Sequence, residues 1–238
     1  MKLQLPTIII VCLSVVLILT IHFLGGNNTQ STQEISEETE EFRTVRFDAE
    51  NAYNAKNFNN AIELYERALE LRPENAEIYN DLGSVHYDLG LKYAGPKWPS
   101  WRILKESLED ALADLELAIQ TIESGYIVFT TSSTEIAKAV EKKAKAEGAA
   151  VFPYHGNMQT TLNILVGSTK YHLLEAKWLY EKSIELKSTY AAPYRNMGSF
   201  YVKIGITDKA LNFLREAYKR EPSDEELAEY LQQFPSEF

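Results

Sequence analysis

Three histidines lie beyond the first apolar run, His86, His155 and His172, and none stands four residues from another or beside the carboxylates that a bound metal would need. His86 therefore reads as a histidine packed in a core, and His155, after Pro153-Tyr154, as a turn residue. Acidic runs such as Glu37-Glu38 and Glu225-Glu226 read as solvated faces rather than acid/base pairs. The single cysteine, Cys12, sits inside the apolar run, so the rest of the chain has no thiol for a disulfide, a zinc site or nucleophilic catalysis. No Gly-x4-Gly-Lys-Ser/Thr phosphate loop occurs. A formal net charge of −10 repels nucleic acid. The expectation is a non-enzyme with no cofactor, no metal and no nucleic-acid partner. The side chains left with something to do are aromatic. Trp98 and Trp101, in the segment Gly95-Pro96-Lys97-Trp98-Pro99-Ser100-Trp101, either staple a connection onto the fold or offer an anchor to a partner, a role in which Trp is enriched.

Ile8 to Leu24 is an uncharged, mostly apolar run in which only Ser14, Thr20 and His22 are polar, and no charged side chain occurs between Lys2 and Glu34. At ~1.5 Å per residue it approaches the ~30 Å hydrocarbon core, so residues 1–25 are expected to form a transmembrane signal-anchor helix. A cleaved signal peptide, followed by secretion, is the alternative, and Leu24-Gly25-Gly26 is a poor cleavage site for it. Lys2 precedes the run and no Lys or Arg follows until Arg43, which predicts a cytoplasmic N-terminus and a soluble part outside, periplasmic or extracellular. Residues 26–41, polar and acidic, are expected to be a flexible tether.

The remaining chain repeats itself. Ala49, Ala61 and Ala68 precede Pro73, and at the same spacings Gly198, Ala210 and Ala217 precede Pro222. Tyr194, Met197-Gly198, Tyr201, Gly205, Ala210, Leu214, Ala217 and Pro222 fill out a period of 34 residues. The segment resembles the tetratricopeptide repeat (TPR). Small residues recur where two helix backbones nearly touch, and proline closes the second helix. Tyr79, Leu82-Gly83, His86 and Gly90 begin a second copy, whose second helix is expected at Ala111-x3-Leu115-x2-Ala118. A degenerate third copy is expected, with a first helix over 157–170 that carries Ile164 in place of glycine, and a second helix at Ala176-x3-Tyr180-x2-Ser183. Ser223 and the acids after it cap a final helix. The resemblance implies a mainly α fold, a right-handed TPR-like α-solenoid over 42–234, with repeats near 42–75, 76–122, 157–190 and 191–222 and a capping helix over 223–234.

Residues 123–156 break the period. Tyr126–Thr131 and Ala149–Phe152 are β-branched or apolar runs, and Ser133 caps a segment with Ile136, Ala137, Val140 and Ala144 on one face, so a small strand-helix-strand insertion is expected. Val128-Phe129, Glu147-Gly148 and Tyr154-His155-Gly156 are also similar to the second lobe of superfamily-two helicases, a short likeness without a phosphate loop.

The TPR resemblance implies a protein-binding scaffold that holds an extended peptide or helix on a concave face, here Arg46, Glu50, Asn80, Ser84, Tyr87, Arg195 and Ser199. Arg46 and Arg195 stand where they could grip a carboxylate, although Glu50 replaces the clamp asparagine of such domains. With the anchor, this predicts a membrane scaffold for an envelope complex. The alternatives are a homo-oligomerising TPR protein and a nucleotide-binding or enzymatic module built on residues 123–156.

Overall fold

The computed structural model describes residues 28–156 and 158–234. The expected anchor and the Ile8–Leu24 run lie outside the described residues. Among the described residues, no helix is long and apolar enough to cross a membrane. The chain divides into two units, 1–44 and 45–238.

Helix α1 spans Asn28–Asn54, so residues 28–41 are helical rather than irregular. The reason is local: no glycine or proline occurs from Asn28 to Glu41, and the Gln and Glu residues there are good helix formers. After α1 come α2 (Phe58–Leu71) and α3 (Ala76–Ala94), the latter capped by Asn75, whose side chain accepts from Ile78 N at 3.0 Å. Strand β1 (Trp101–Leu104), α4 (Leu108–Thr121), β2 (Gly125–Thr131), α5 (Thr134–Ala146), β3 (Ala150–His155) and β4 (Thr160–Val166) follow, before the chain returns to helices α6 (Gly167–Leu186), α7 (Ala191–Lys203), α8 (Thr207–Arg220) and α9 (Glu225–Gln232).

The strands form one sheet in the order β1-β2-β4-β3. β1 and β2 are parallel with α4 as their crossover, since parallel neighbours cannot be joined by a tight turn. β4 is antiparallel to both β2 and β3. Alternation along the strands gives the sheet two apolar faces. Ile103, Ile127, Phe129, Leu162 and Ile164 face α4 and α5 and pack with Ala111, Leu115, Ala118, Ile136, Val140 and Ala144. On the opposite face, Tyr126 and Leu165 share a core with Leu173 and Tyr180 of α6 and with Met197, Phe200, Tyr201 and Ile204 of α7 and its turn.

Two expectations about the repeats are corrected here. The segment at Ala111, Leu115 and Ala118 is helical but lies on the sheet and does not pair with α3; small residues permit close approach to strands as readily as to a helix. The helix expected over 157–170 is replaced through Val166 by strand β4. Thr160, Thr161 and Ile164 belong to a β-branched run, and Ile164 is fully buried opposite Ile127 and Val151. The partner of α3 is α6. A Cβ on Gly83 would meet the Tyr180 ring at 2.7 Å, one on Gly90 would meet Leu173 at 2.9 Å, and Ser183 Oγ donates to Ala76 O at 2.7 Å. Residues 95–166 thus interrupt one helix pair. The strand-helix-strand pattern read over 123–156 corresponds to β2, α5 and β3, with Ser133 accepting from Ile136 N at 3.3 Å.

Candidate functional site

The expected concave-face residues separate into two groups. Arg46 on α1 is committed: its Nε donates to Glu50 at 3.0 Å, Nη1 to Glu77 at 3.2 Å, and Nη2 lies 3.9 Å from Asp81. Burial alone would lower its pKa, but its hydrogen bond to Glu50 and the charge of Asp81 outweigh that and leave it raised. Burial likewise raises Asp81, opposed by its hydrogen bond from Asn80 and by Arg46. Lys187 joins the cluster 3.4 Å from Glu77. Asn80 is buried and receives Asn196 Nδ2 at 2.8 Å, while Ser84 Oγ donates to Asn80 O and accepts from Asn196 at 3.3 Å. Arg46 therefore ties α1 to α3, with Glu50 bracing it from its own helix, and Asn80 and Ser84 tie α3 to α7.

Tyr87, Arg195 and Ser199 form the second group, and these do converge. They line a cavity of about 420 Å³ with Val202, Lys203 and Leu214 from α7 and α8, and Asp224, Glu226, Leu227 and Tyr230 at α9. Its floor is apolar: Leu214 and Leu227 are buried, and Val202 is exposed. Its lining carries charges of both signs, Lys203 and Arg195 together with Asp224 and Glu226. Arg195 Nη2 reaches Asp224, the residue that caps α9 by accepting from Leu227 N at 3.1 Å, and lies 3.4 Å from Glu221. Burial, with Asp88 nearby, pushes the Tyr87 phenol up to about 12, so it stays a neutral donor at physiological pH. Chemically this is an amphipathic groove, with an apolar base and opposite charges along its edges. The sequence pattern placed three of its residues but missed Val202 and Lys203 at the end of α7 and those of α8 and α9, because a groove wall supplied by a helix end and a capping helix lies outside the repeat register.

The two tryptophans pack on the fold. Trp98 Nε1 donates to Lys203 O at 2.9 Å, its ring stacks on Tyr126 with centroids 4.5 Å apart, and Lys203 Nζ sits 5.1 Å above it. Trp101, on β1, packs against the cluster beneath α4. Both are partly buried and contact the fold at the ends of the 98–101 segment. Tyr126, buried, adds to that seam by donating to Asn163 Oδ1 at 2.6 Å, with Ile204 O at 3.2 Å.

His155 ends β3 and pairs with Thr160 Oγ1 at 3.2 Å across the hairpin. Glu106 accepts from the amide and hydroxyl of Ser132 and from Thr131 Oγ1, and these bonds hold its carboxyl below the usual range. His86 is buried as expected, but its Nδ1 lies 3.0 Å from Nδ1 of His172, a contact no local spacing could signal. Among the described residues, no group of three or more His, Cys, Asp or Glu is arranged to hold a metal.

A family model described as "TPR repeat" matches residues 51–90, which cover the end of α1, α2 and most of α3. No curated protein matches the chain. Among solved structures, the first TPR of Spaghetti (RPAP3) bound to an HSP90 peptide is similar at 9% identity over 82% of this chain and 90% of that one, with a TM-score of 0.44. The Arabidopsis OM64 TPR domain is similar at 11% identity over 84% and 99%, with a TM-score of 0.45. The Yersinia enterocolitica type III secretion translocator chaperone SycD is similar at 9% identity over 82% and 86%, with a TM-score of 0.42. The architecture is mainly helical and TPR-like, with a small sheet.

Proposed function

We propose that this protein is a membrane-anchored scaffold that holds a segment of a protein partner in the groove between α7, α8 and α9, and that it does no chemistry of its own. The observation that carries the reading is the groove itself. Tyr87, Arg195 and Ser199 converge there on an apolar floor with charges of both signs along the rim, which suits a peptide or helix with one apolar anchor and mixed polar flanks. The apolar run at residues 8–24 would hold the scaffold at a bilayer, and an envelope assembly is the setting that such an anchor suggests.

A photoreactive amino acid placed at Val202, inside the groove, and at Lys138, on α5, distinguishes this from non-specific contact. The expected outcome is a discrete adduct from position 202 in intact cells and none from position 138. An adduct of twice the chain mass would point instead to self-association through the same groove. Equal labelling from both positions would remove the groove from consideration.

A further inference from the structure

The pair His86 and His172 joins the two helices that bracket the interruption. His86 is buried on α3, and His172 is half-buried near the start of α6. Their Nδ1 atoms are 3.0 Å apart, so one ring must donate and the other accept. The surroundings are aromatic: Tyr93 stacks on His172 at 5.3 Å with an interplanar angle of 3°, and Tyr171 lies edge-on to it at 4.9 Å and 6.4 Å from His86.

The charged groups nearest the two histidines along α3 and α6 have other neighbours. On α3, Asp88 accepts from Tyr53 of α1 at 3.0 Å and from Lys56 at 3.4 Å, and Lys92 lies over the Phe58 ring of α2. On α6, Lys170 donates to Gly148 O, and Glu175 faces Glu66 of α2, with burial first and that neighbour second raising its carboxyl. The phenols of Tyr87 and, on β2, Tyr126 are each pushed up to about 12, chiefly by burial, and stay neutral.

We propose that the His86–His172 contact is an acid-sensitive latch that holds α3 against α6 at the root of the inserted sheet and releases when both rings are protonated. The half-buried ring of His172 takes the first proton at Nε2 and can keep the contact, with its Nδ1–H donating to His86. A second proton, on His86, puts two N–H donors and two positive charges face to face, and among the described residues no carboxylate acts on either ring. Burial first, and the neighbouring ring second, hold His86 down to about 4, and burial lowers His172 as well.

The sign follows. In the opened state His86 titrates near ~6.5, so that state binds the extra proton first, and stability of the closed pair falls as pH drops through ~6.5 towards about 4. Above ~6.5 the latch is fully closed.

The test is amide exchange on the full chain in mild detergent at pH 7.5, 6.0 and 5.0, corrected for intrinsic exchange, with segments 76–94 and 167–186 read against 191–220. The expected result for the unaltered chain is an opening ratio that rises about thirtyfold from pH 7.5 to 5.0 and recovers when the pH is restored. His86→Gln and His86→Tyr should both flatten the profile; Tyr matches Tyr201 at the same register of α7. His172→Gln should reduce the amplitude. An unaltered chain with a flat ratio, a profile that survives both His86 variants, or full amplitude in His172→Gln would each overturn the latch.

Discussion

Helix pairs α3–α6 and α7–α8 are built on the same crossing, yet one is continuous in the chain and the other is divided by a four-stranded module. In α7–α8, Gly198 sits against Leu214, and only the short turn through Gly205 separates the helices. In α3–α6, Gly83 sits against Tyr180 and Leu179 in the same way, although residues 95–166 intervene. The crossing, and not the connection, defines the pair. Loop closure costs grow only slowly with length, and here the intervening chain folds and packs, so its ends are held near each other by its own core. The module in turn depends on the helices, because its second sheet face is covered by α6 and α7.

The largest effect should come from attacking the crossing directly. Gly83→Leu and Gly198→Leu each push a branched side chain into a gap where even a Cβ meets a neighbouring side chain. Overpacking of this kind costs typically ~1–3 kcal/mol and more where the opposing group is immobile. Tyr180 is 2% exposed and Leu214 is 5% exposed, so neither can move aside without opening the pair. Thermal or denaturant unfolding should show both variants losing more than about 3 kcal/mol. If Gly83→Leu were harmless while Gly198→Leu was severe, the interrupted pair would not be held as the continuous one is.

How much of this could be read in the residues divides along the same line. Gly198, Ala210, Leu214 and Ala217 stand in sequence order, so the pair they build was visible as a period. For α3–α6 the two halves were each recognisable, Leu82-Gly83 in one and Ala176-x3-Tyr180 in the other, but their pairing was not. Ala111, Leu115 and Ala118 carry the same small-large-small spacing nearer in the chain, and nothing local says whether such a stripe faces a helix or a sheet. The signal that would have decided it was Thr160–Val166: Thr-Thr-Leu-Asn-Ile-Leu-Val is β-branched and apolar, which argues for a strand and removes the first helix of any separate third repeat. At the site, Tyr87, Arg195 and Ser199 were legible because the register points them inward. The occupation of Arg46 by Glu50, Glu77 and Asp81 was not, because it depends on side chains from two helices meeting at α1.

The seam between module and helices gives the next two effects. Trp98→Ala removes the stack on Tyr126 and the bond to Lys203 O, and truncation of a half-buried Trp should cost roughly 2–3 kcal/mol. Limited proteolysis should then cut within 95–166 before it cuts α7 or α8. Cleavage that begins in α7–α8 would mean that the module is the sturdier part. Tyr126→Phe keeps the ring but leaves Asn163 Oδ1 and Ile204 O without their donor inside the seam, a loss of about 1–3 kcal/mol measured by chemical denaturation. An unchanged midpoint would mean that packing alone closes the seam.

The smallest effect on stability should belong to Arg195→Ala, and its value lies in separating stability from binding. Arg195 bridges Asp224 and Glu221 from a side chain 43% exposed, and solvent-screened pairs of this kind contribute about 0–1 kcal/mol. Asp224 keeps its cap on Leu227 N without it, so α9 should stay in place and unfolding should shift little. What the substitution does remove is a cation from the rim of the groove. If the groove of α7–α8 is where a partner sits, adduct formation from position 202 should fall severalfold while the unfolding midpoint hardly moves. Adducts that persist at full yield would leave α7–α8 as a structural pair like α3–α6, with the binding surface elsewhere.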